Sequence, residues 1–149
     1  MCNGIVFSGG GVKAIAYIGV IKALEEEKIY FDKIAGTSAG SIIASMYACG
    51  FTSREMTEVV LKNINKIKYF DTSSFFTIVQ KVLIFNINKI LGLNNGKRLY
   101  NILYDTFIQK GIYNISQVPN DLIIPSVNIT NDKLYMFYSN DIKNLSRKI

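Results

Sequence analysis

Apolar residues along the chain fall into two patterns, short runs bounded by glycine and longer stretches in which they recur every three or four positions. Residues 4–8 (GIVFS) form a short apolar run that predicts a buried β-strand, and residues 33–35 (KIA) predict a second strand. Between them, residues 13–28 carry apolar side chains at helical spacing and include a run of three glutamates. This stretch predicts a helix with one buried face.

The rest of the pattern predicts more helices and one hairpin. Helical spacing of apolar residues recurs in residues 38–49, 52–67, 74–93 and 96–110. Gly50 is placed to end the first of these helices, and Thr52 and Glu55 have the spacing of a capping box at the start of the second. Residues 121–130 and 133–139 predict an antiparallel hairpin. The order of elements predicts an α/β protein in which helices cover a mixed sheet.

A candidate nucleophile lies directly after the second predicted strand, in residues 36–40 (GTSAG). A G-x-S-x-G sequence between a strand and a helix is the nucleophile elbow, where the serine sits on a strained turn with its hydroxyl exposed. Gly36 and Gly40 flank Ser38 and let neighbouring backbone approach. The alternative is a turn that only packs a helix against a strand. Because the chain has no histidine, the usual imidazole base of such a serine is missing.

Three consecutive glycines, Gly9, Gly10 and Gly11, follow the first predicted strand. At a helix N-terminus their unshielded N–H groups favour negative charge, either a phosphate or the oxyanion that forms when a serine attacks an ester. A dinucleotide fingerprint is matched only in part, since Ala14 replaces its third glycine and Asp32 matches its acidic residue loosely. A P-loop fits less well, because no G-K-[ST] follows the glycines.

Together, FSGGGVK at residues 7–13 and GTSAGS at residues 36–41 resemble the two N-terminal motifs of the patatin-like phospholipase family. The resemblance is close over residues 4–50 and holds in outline beyond them. It implies a three-layer α/β/α fold with a mixed, mainly parallel central sheet.

The resemblance also implies a reaction, the hydrolysis of ester bonds in phospholipids or other acyl lipids by a Ser–Asp dyad that needs no histidine. Ser38 matches the nucleophile, and the glycines at positions 9, 10 and 11 match the oxyanion hole. Lys13 matches the basic residue of that loop, where it supports the loop, attracts anionic head groups or is simply solvated. The implied substrate is a lipid, and the mechanism involves no cofactor and no metal ion.

The sequence departs from the family pattern at two points. The last glycine of the oxyanion motif is Ala14, a one-carbon change that we expect to be tolerated. More seriously, no aspartate is followed by glycine, so the D-G-[GA] motif that carries the base is absent. In the family that motif comes after a strand pair resembling residues 121–139. We therefore expect residues 1–149 to form a single, incomplete patatin-like domain, truncated on the C-terminal side.

Two functions remain open on these grounds. The first is a lipid acyl hydrolase that receives its aspartate from a second polypeptide or from an unusual internal replacement, for which Asp132 and Asp141 are the candidates. The second is a catalytically inactive fragment that retains lipid or membrane binding.

Composition and charge limit the classes of partner and the cellular location that we expect for this protein. The net charge is +6, but no nucleic-acid motif accompanies the lysines, so a solvated surface is expected and no nucleic-acid partner. Residues 74–93 are apolar, yet Lys81 and Lys89 argue against a membrane span and leave a buried helix or an interfacial helix on lipid. Cys2 and Cys49 form no metal-binding spacing. With no secretory signal, the expected location is the cytoplasm, in peripheral contact with membranes as an alternative.

Overall fold

The computed structural model describes residues 3–67, 97–128 and 131–140. Its strands are β1 (Gly4–Phe7), β2 (Lys33–Gly36), β3 (Asp121–Asn128) and β4 (Lys133–Tyr138), and its α-helices are α1 (Tyr17–Glu26), α2 (Ala39–Ala48), α3 (Ser53–Ile67) and α4 (Lys97–Ile108). Two 3₁₀ segments, Gly11–Ala16 and Ile115–Gln117, complete the described elements. The helix predicted over residues 74–93 lies outside the described residues.

The four strands form one sheet in the order β1-β2-β3-β4. Strand β2 runs parallel to β1 and to β3, and Ile34 at its centre pairs with Ile5 on one side and Leu122 on the other. Strands β3 and β4 pair antiparallel, which confirms the predicted hairpin. Parallel neighbours need long crossover connections, and α1 and α2 belong to those crossovers. The predicted α/β class with a mixed, mainly parallel sheet is confirmed.

The core lies between the sheet and the helices on one of its faces. Phe7, Ile34 and Leu122 are buried there, in one cluster with Ile18 and Ile21 of α1 and further apolar residues of α2. Burying such a row of large side chains is the main source of stability for a sheet of this kind. This arrangement fixes the ends of β1 and β2 relative to the helices that follow them.

The opposite face of the sheet is lined by the alternate residues of the same strands. Val6, Ala35 and Ile123 form one row across it, and Val6 is 74% exposed. A shallow depression of about 400 Å³ on this face is lined by strand residues and the two residues after β4, and by none of the described helices. The described residues thus supply the sheet and one helical layer.

The start of α3 has the predicted capping box. The Thr52 N–H donates to Glu55 Oε2 over 2.8 Å, and the Glu55 N–H donates to Thr52 Oγ1 over 3.2 Å. Glu25 of α1 adds a contact that the sequence did not predict, since its carboxylate accepts from the Ser53 N–H over 2.8 Å. The Lys110 ammonium, 2.7 Å from Glu55 Oε1, holds the pKa of Glu55 below its ordinary value. These contacts tie α3 to α1 and to the end of α4.

The start of the first helix differs from the prediction. Residues 13–16 were expected to be α-helical, but they belong to the 3₁₀ segment, and the α-helix begins only at Tyr17. Gly11 has a φ of +57°, and the Lys13 N–H donates to the Gly10 carbonyl over 3.2 Å. The backbone leaves the glycines through a left-handed residue and tight i→i+3 turns before it relaxes into the wider α-helix.

Candidate functional site

Ser38 occupies the turn between β2 and α2, with φ +52° and ψ −132°. This region of backbone space is sparsely populated for residues other than glycine and costs about 1–3 kcal/mol. Such a conformation persists only where the surroundings force it. The residue is also exposed to solvent. The geometry is that of a strained strand-to-helix turn which presents its serine at the surface.

The two flanking glycines explain how the turn is held. A Cβ on Gly36 would lie 2.6 Å from the Cβ of Ala44. A Cβ on Gly40 would overlap the carbonyl oxygens of Phe7 and Ser8. Helix α2 therefore packs on the ends of β1 and β2 with no room for a methyl group at either position. This close approach fixes the direction in which the chain must turn at the serine.

Hydrogen bonds complete the support of the turn. The Thr37 N–H donates to the Phe7 carbonyl over 3.1 Å, which continues the β1–β2 ladder to the residue before Ser38. The Ser41 N–H and Ser41 Oγ both donate to the Ser38 carbonyl, over 3.0 and 2.5 Å. The Ser41 hydroxyl therefore satisfies a backbone group of the turn.

The glycine loop lies directly beside Ser38. A Cβ on Gly9 would be 3.0 Å from Ser38 Cβ and 3.6 Å from Ser38 Oγ. The next two glycines face open space, since a Cβ on Gly10 would meet nothing closer than 3.8 Å and one on Gly11 nothing within 4 Å. All three loop residues are exposed. The fold therefore brings the two predicted motifs together at the carboxyl ends of β1 and β2, with access from solvent.

Three residues around the loop have side chains with different surroundings. Ala14 is buried in the core, so its methyl group packs there, as expected of a tolerated replacement for glycine. Lys13 is exposed in the 3₁₀ segment. The Ser8 hydroxyl forms a hydrogen bond with the hydroxyl of Tyr17. Sequence reasoning missed Tyr17, because apolar spacing marks it only as one more residue at the start of a helix.

Residues 3–67, 97–128 and 131–140 provide no hydrogen-bonded base for Ser38. In those ranges no hydrogen bond joins Ser38 Oγ to another side chain. Asp121 accepts a hydrogen bond from the Asn140 side chain instead. Asp132 lies in the turn of the β3–β4 hairpin with a φ of +52°. Asp141, the other internal candidate, lies outside the described residues.

Cys49, the residue after α2, is a buried free thiol. Burial raises its pKa from 9.0 to about 11. Since the thiolate is the reactive form of cysteine, this residue is a packing element of the core at neutral pH.

Across the described ranges, the helices all fall short of the length and apolar character that crossing a membrane requires. The apolar stretch at residues 74–93 lies outside those ranges.

The fold and the elbow define an α/β protein with an exposed serine at a strand-to-helix turn beside a glycine loop. The sequence model of the patatin-like phospholipase family matches residues 5–145. The chain belongs to this family, which is a family of lipid hydrolases.

Individual relatives agree with this assignment over shorter stretches. The chain is 38% identical over 107 residues to the uncharacterized protein YqhO of Bacillus subtilis, an alignment that covers 72% of this chain and 36% of YqhO. It is 60% identical over 45 residues to the lysophospholipase NTE1 of Coccidioides immitis and 58% identical over 45 residues to lysophospholipase nte1 of Aspergillus fumigatus. Those alignments cover 30% of this chain and 3% of each fungal protein. The chain thus spans about a third of the Bacillus protein and a small part of the fungal ones.

Proposed function

We propose that this chain carries the nucleophile and the oxyanion hole of a lipid acyl hydrolase, which cleaves ester bonds of phospholipids or other acyl lipids. The observation that carries the proposal is the contact between Gly9 and Ser38, with Ser38 strained and exposed on its turn. Membership of the patatin-like phospholipase family supports the lipid substrate. The name lysophospholipase, carried by the fungal relatives, supports an ester of a phospholipid.

In the proposed mechanism a carboxylate base takes the proton of the Ser38 hydroxyl and later returns it to the leaving alcohol. Ser38 Oγ attacks the acyl carbonyl carbon, and the carbonyl oxygen becomes negatively charged. Backbone N–H groups of Gly9, Gly10 and Gly11 stabilise this oxyanion, and the positive end of the α2 dipole adds to their effect. The ester C–O bond then breaks, the alcohol leaves with a proton, and water hydrolyses the acyl-serine. Gly36 and Gly40 support the turn without touching the substrate.

The base in this proposal is an aspartate from outside residues 1–149, in the manner of the family's Ser–Asp dyad. Two observations support an external source. No aspartate of the sequence is followed by glycine, and no carboxylate in the described ranges forms a hydrogen bond with Ser38 Oγ. A second polypeptide is one source of the missing group.

The same two observations favour a second candidate function, a catalytically inactive protein that binds lipid without hydrolysing it. The net charge of +6 supports contact with anionic membrane surfaces in either case. Exposed Lys13 beside the glycine loop is suited to an anionic head group. Flotation of the protein with vesicles of phosphatidylserine, compared with vesicles of phosphatidylcholine alone, tests this contact, and equal binding to both would contradict it.

Hydrolysis of a fluorogenic lysophospholipid separates the two candidates. The hydrolase proposal predicts turnover by the purified protein that disappears in Ser38→Ala and persists in Ser41→Ala, a control with the same chemical change one helical turn away. If no base is present, the remaining oxyanion hole still supports about 10³-fold acceleration over water, with a rate that rises with pH. Turnover that is equal in wild type and Ser38→Ala would contradict the proposal. Binding of the lysophospholipid without turnover would support the inactive lipid binder.

A further inference from the structure

Tyr17, the first residue of α1, contacts the chain at the point where the glycine loop leaves β1. Its hydroxyl lies 2.5 Å from Ser8 Oγ, in a hydrogen bond between the two side chains. Its ring packs edge-on against Phe7, with ring centroids 5.3 Å apart. Phe7 is buried in the core. Tyr17 therefore touches both residues that precede Gly9.

The same segment is also held by the serine turn. The Phe7 carbonyl accepts from the Thr37 N–H, and the Phe7 and Ser8 carbonyls lie against Gly40. Among the described residues, the Tyr17–Ser8 bond is the one side-chain hydrogen bond made to residues 8–11. The start of the loop is thus held through its backbone by the serine turn and through the Ser8 side chain by Tyr17.

We infer that Tyr17 is a positioning residue for the oxyanion loop, an inference that rests on the proposed function of Gly9, Gly10 and Gly11. A run of three glycines has great conformational freedom. Oxyanion donors must be held within about 0.5 Å of their productive positions to be effective. Fixing the Ser8 side chain restricts the backbone directly before Gly9. Tyr17 has this effect without contacting the substrate.

Tyr47 of α2 provides a matched control. Its ring also packs edge-on against Phe7, with centroids 6.2 Å apart. Its hydroxyl accepts from the Phe31 N–H over 3.1 Å and makes no hydrogen bond to the loop. Tyr17→Phe and Tyr47→Phe therefore remove the same atom from two tyrosines on the same core residue, and only the first change releases Ser8.

The first measurement is the NMR order parameter of the Gly10 and Gly11 amides, which needs no catalytic activity. Tyr17→Phe is expected to lower these order parameters from about 0.85, the value of rigid backbone, towards about 0.6. Tyr47→Phe is expected to leave them unchanged. Ser8→Ala should match Tyr17→Phe, the double variant should add nothing further, and Ser8→Thr should keep the wild-type values. Equal order parameters in wild type and Tyr17→Phe would overturn the inference.

The second measurement separates positioning from folding and from the proposed function. Labelling of Ser38 by a fluorophosphonate gives a maximal rate and a half-saturation constant for the probe. Tyr17→Phe is expected to lower the maximal rate about tenfold and leave the half-saturation constant and the melting temperature close to those of Tyr47→Phe. If Tyr17→Phe lowers the melting temperature and leaves the maximal labelling rate unchanged, Tyr17 has only a structural role and the inference is overturned. If wild type is not labelled at all, the proposed function fails, and the order parameters of the Gly10 and Gly11 amides still decide the role of Tyr17.

Discussion

Four of the five glycines of the site fall into two pairs with opposite surroundings. Gly36 and Gly40 are buried and so closely approached that a Cβ would overlap backbone atoms of the neighbouring element. Gly10 and Gly11 are exposed, and an added Cβ would meet at most ordinary contacts. The first pair makes the turn that presents Ser38, and the second leaves backbone open to solvent. Glycine thus serves packing in one half of the site and access in the other.

This difference predicts that substitutions in the two halves affect different properties. In the serine turn, an added methyl group forces α2 away from β1 and costs stability. At Gly10 in the glycine loop, the same methyl group is tolerated by the fold and acts on whatever binds there. At Gly11 the open space does not help, because the φ of +57° strains any side chain. The variants below test that division, from the largest expected effect to the smallest.

Gly40→Ala should give the largest loss of stability. Its Cβ would overlap the carbonyl oxygens of Phe7 and Ser8, and overpacking of this severity costs about 3 kcal/mol or more. Gly10→Ala is the matched control, because its Cβ would lie 3.8 Å from the nearest atom and an unhindered surface change stays within about 0.5 kcal/mol. Urea unfolding followed by circular dichroism measures both. Equal losses of unfolding free energy in Gly40→Ala and Gly10→Ala would contradict the distinction between the two pairs of glycines.

Ser38→Gly should stabilise the protein, which is unusual for a change to glycine. The strain at the φ of +52° is released, and after the entropy cost of a new glycine we expect a net gain of about 1 kcal/mol. Ser38→Ala keeps the Cβ, so it should leave the free energy of unfolding within about 0.5 kcal/mol of wild type. The same urea unfolding curves provide the readout. A less stable Ser38→Gly would mean that the turn is not strained.

The effect of Cys49 is confined to alkaline pH and reports on the core at the C-terminal end of α2. Its pKa is raised from 9.0 to about 11 by burial, so the folded state keeps its thiol proton at pH values where the unfolded state loses it. The contribution of this thiol to stability is complete below pH 9 and is lost as the pH rises from 9 to about 11. Unfolding free energies measured across that interval should fall more steeply in wild type than in Cys49→Ala. Parallel slopes would contradict burial of the thiol.

The parts of the fold that the sequence predicted are those governed by local rules. Thr52 and Glu55 predict the start of α3 because the two residues of a capping box lie only three positions apart in the sequence. The G-x-S-x-G spacing likewise identifies the strand-to-helix turn at Ser38. The hairpin and the mixed sheet follow from the order of apolar runs and helices, whereas the mainly parallel character of the sheet was implied by the family resemblance.

The parts that the sequence did not predict depend on packing between distant elements. The Tyr17–Ser8 bond joins the first residue of α1 to the residue after β1, across a 3₁₀ segment that the helical pattern did not predict. The contact of Glu25 with Ser53 depends on how α1 lies against α3. The roles of Ser38 and of the glycine loop in catalysis remain predictions, since they concern chemistry and not placement.

Reaction of the purified chain with a fluorophosphonate, read by intact mass and peptide mapping, tests the central claim that Ser38 is a nucleophile supported by the glycine loop. The account predicts a single adduct at Ser38, absent in Ser38→Ala and retained in Ser41→Ala. It also predicts faster labelling as the pH rises, because the described residues offer Ser38 no hydrogen-bonded base. A folded chain that forms no adduct, or forms one at another residue, would contradict the account.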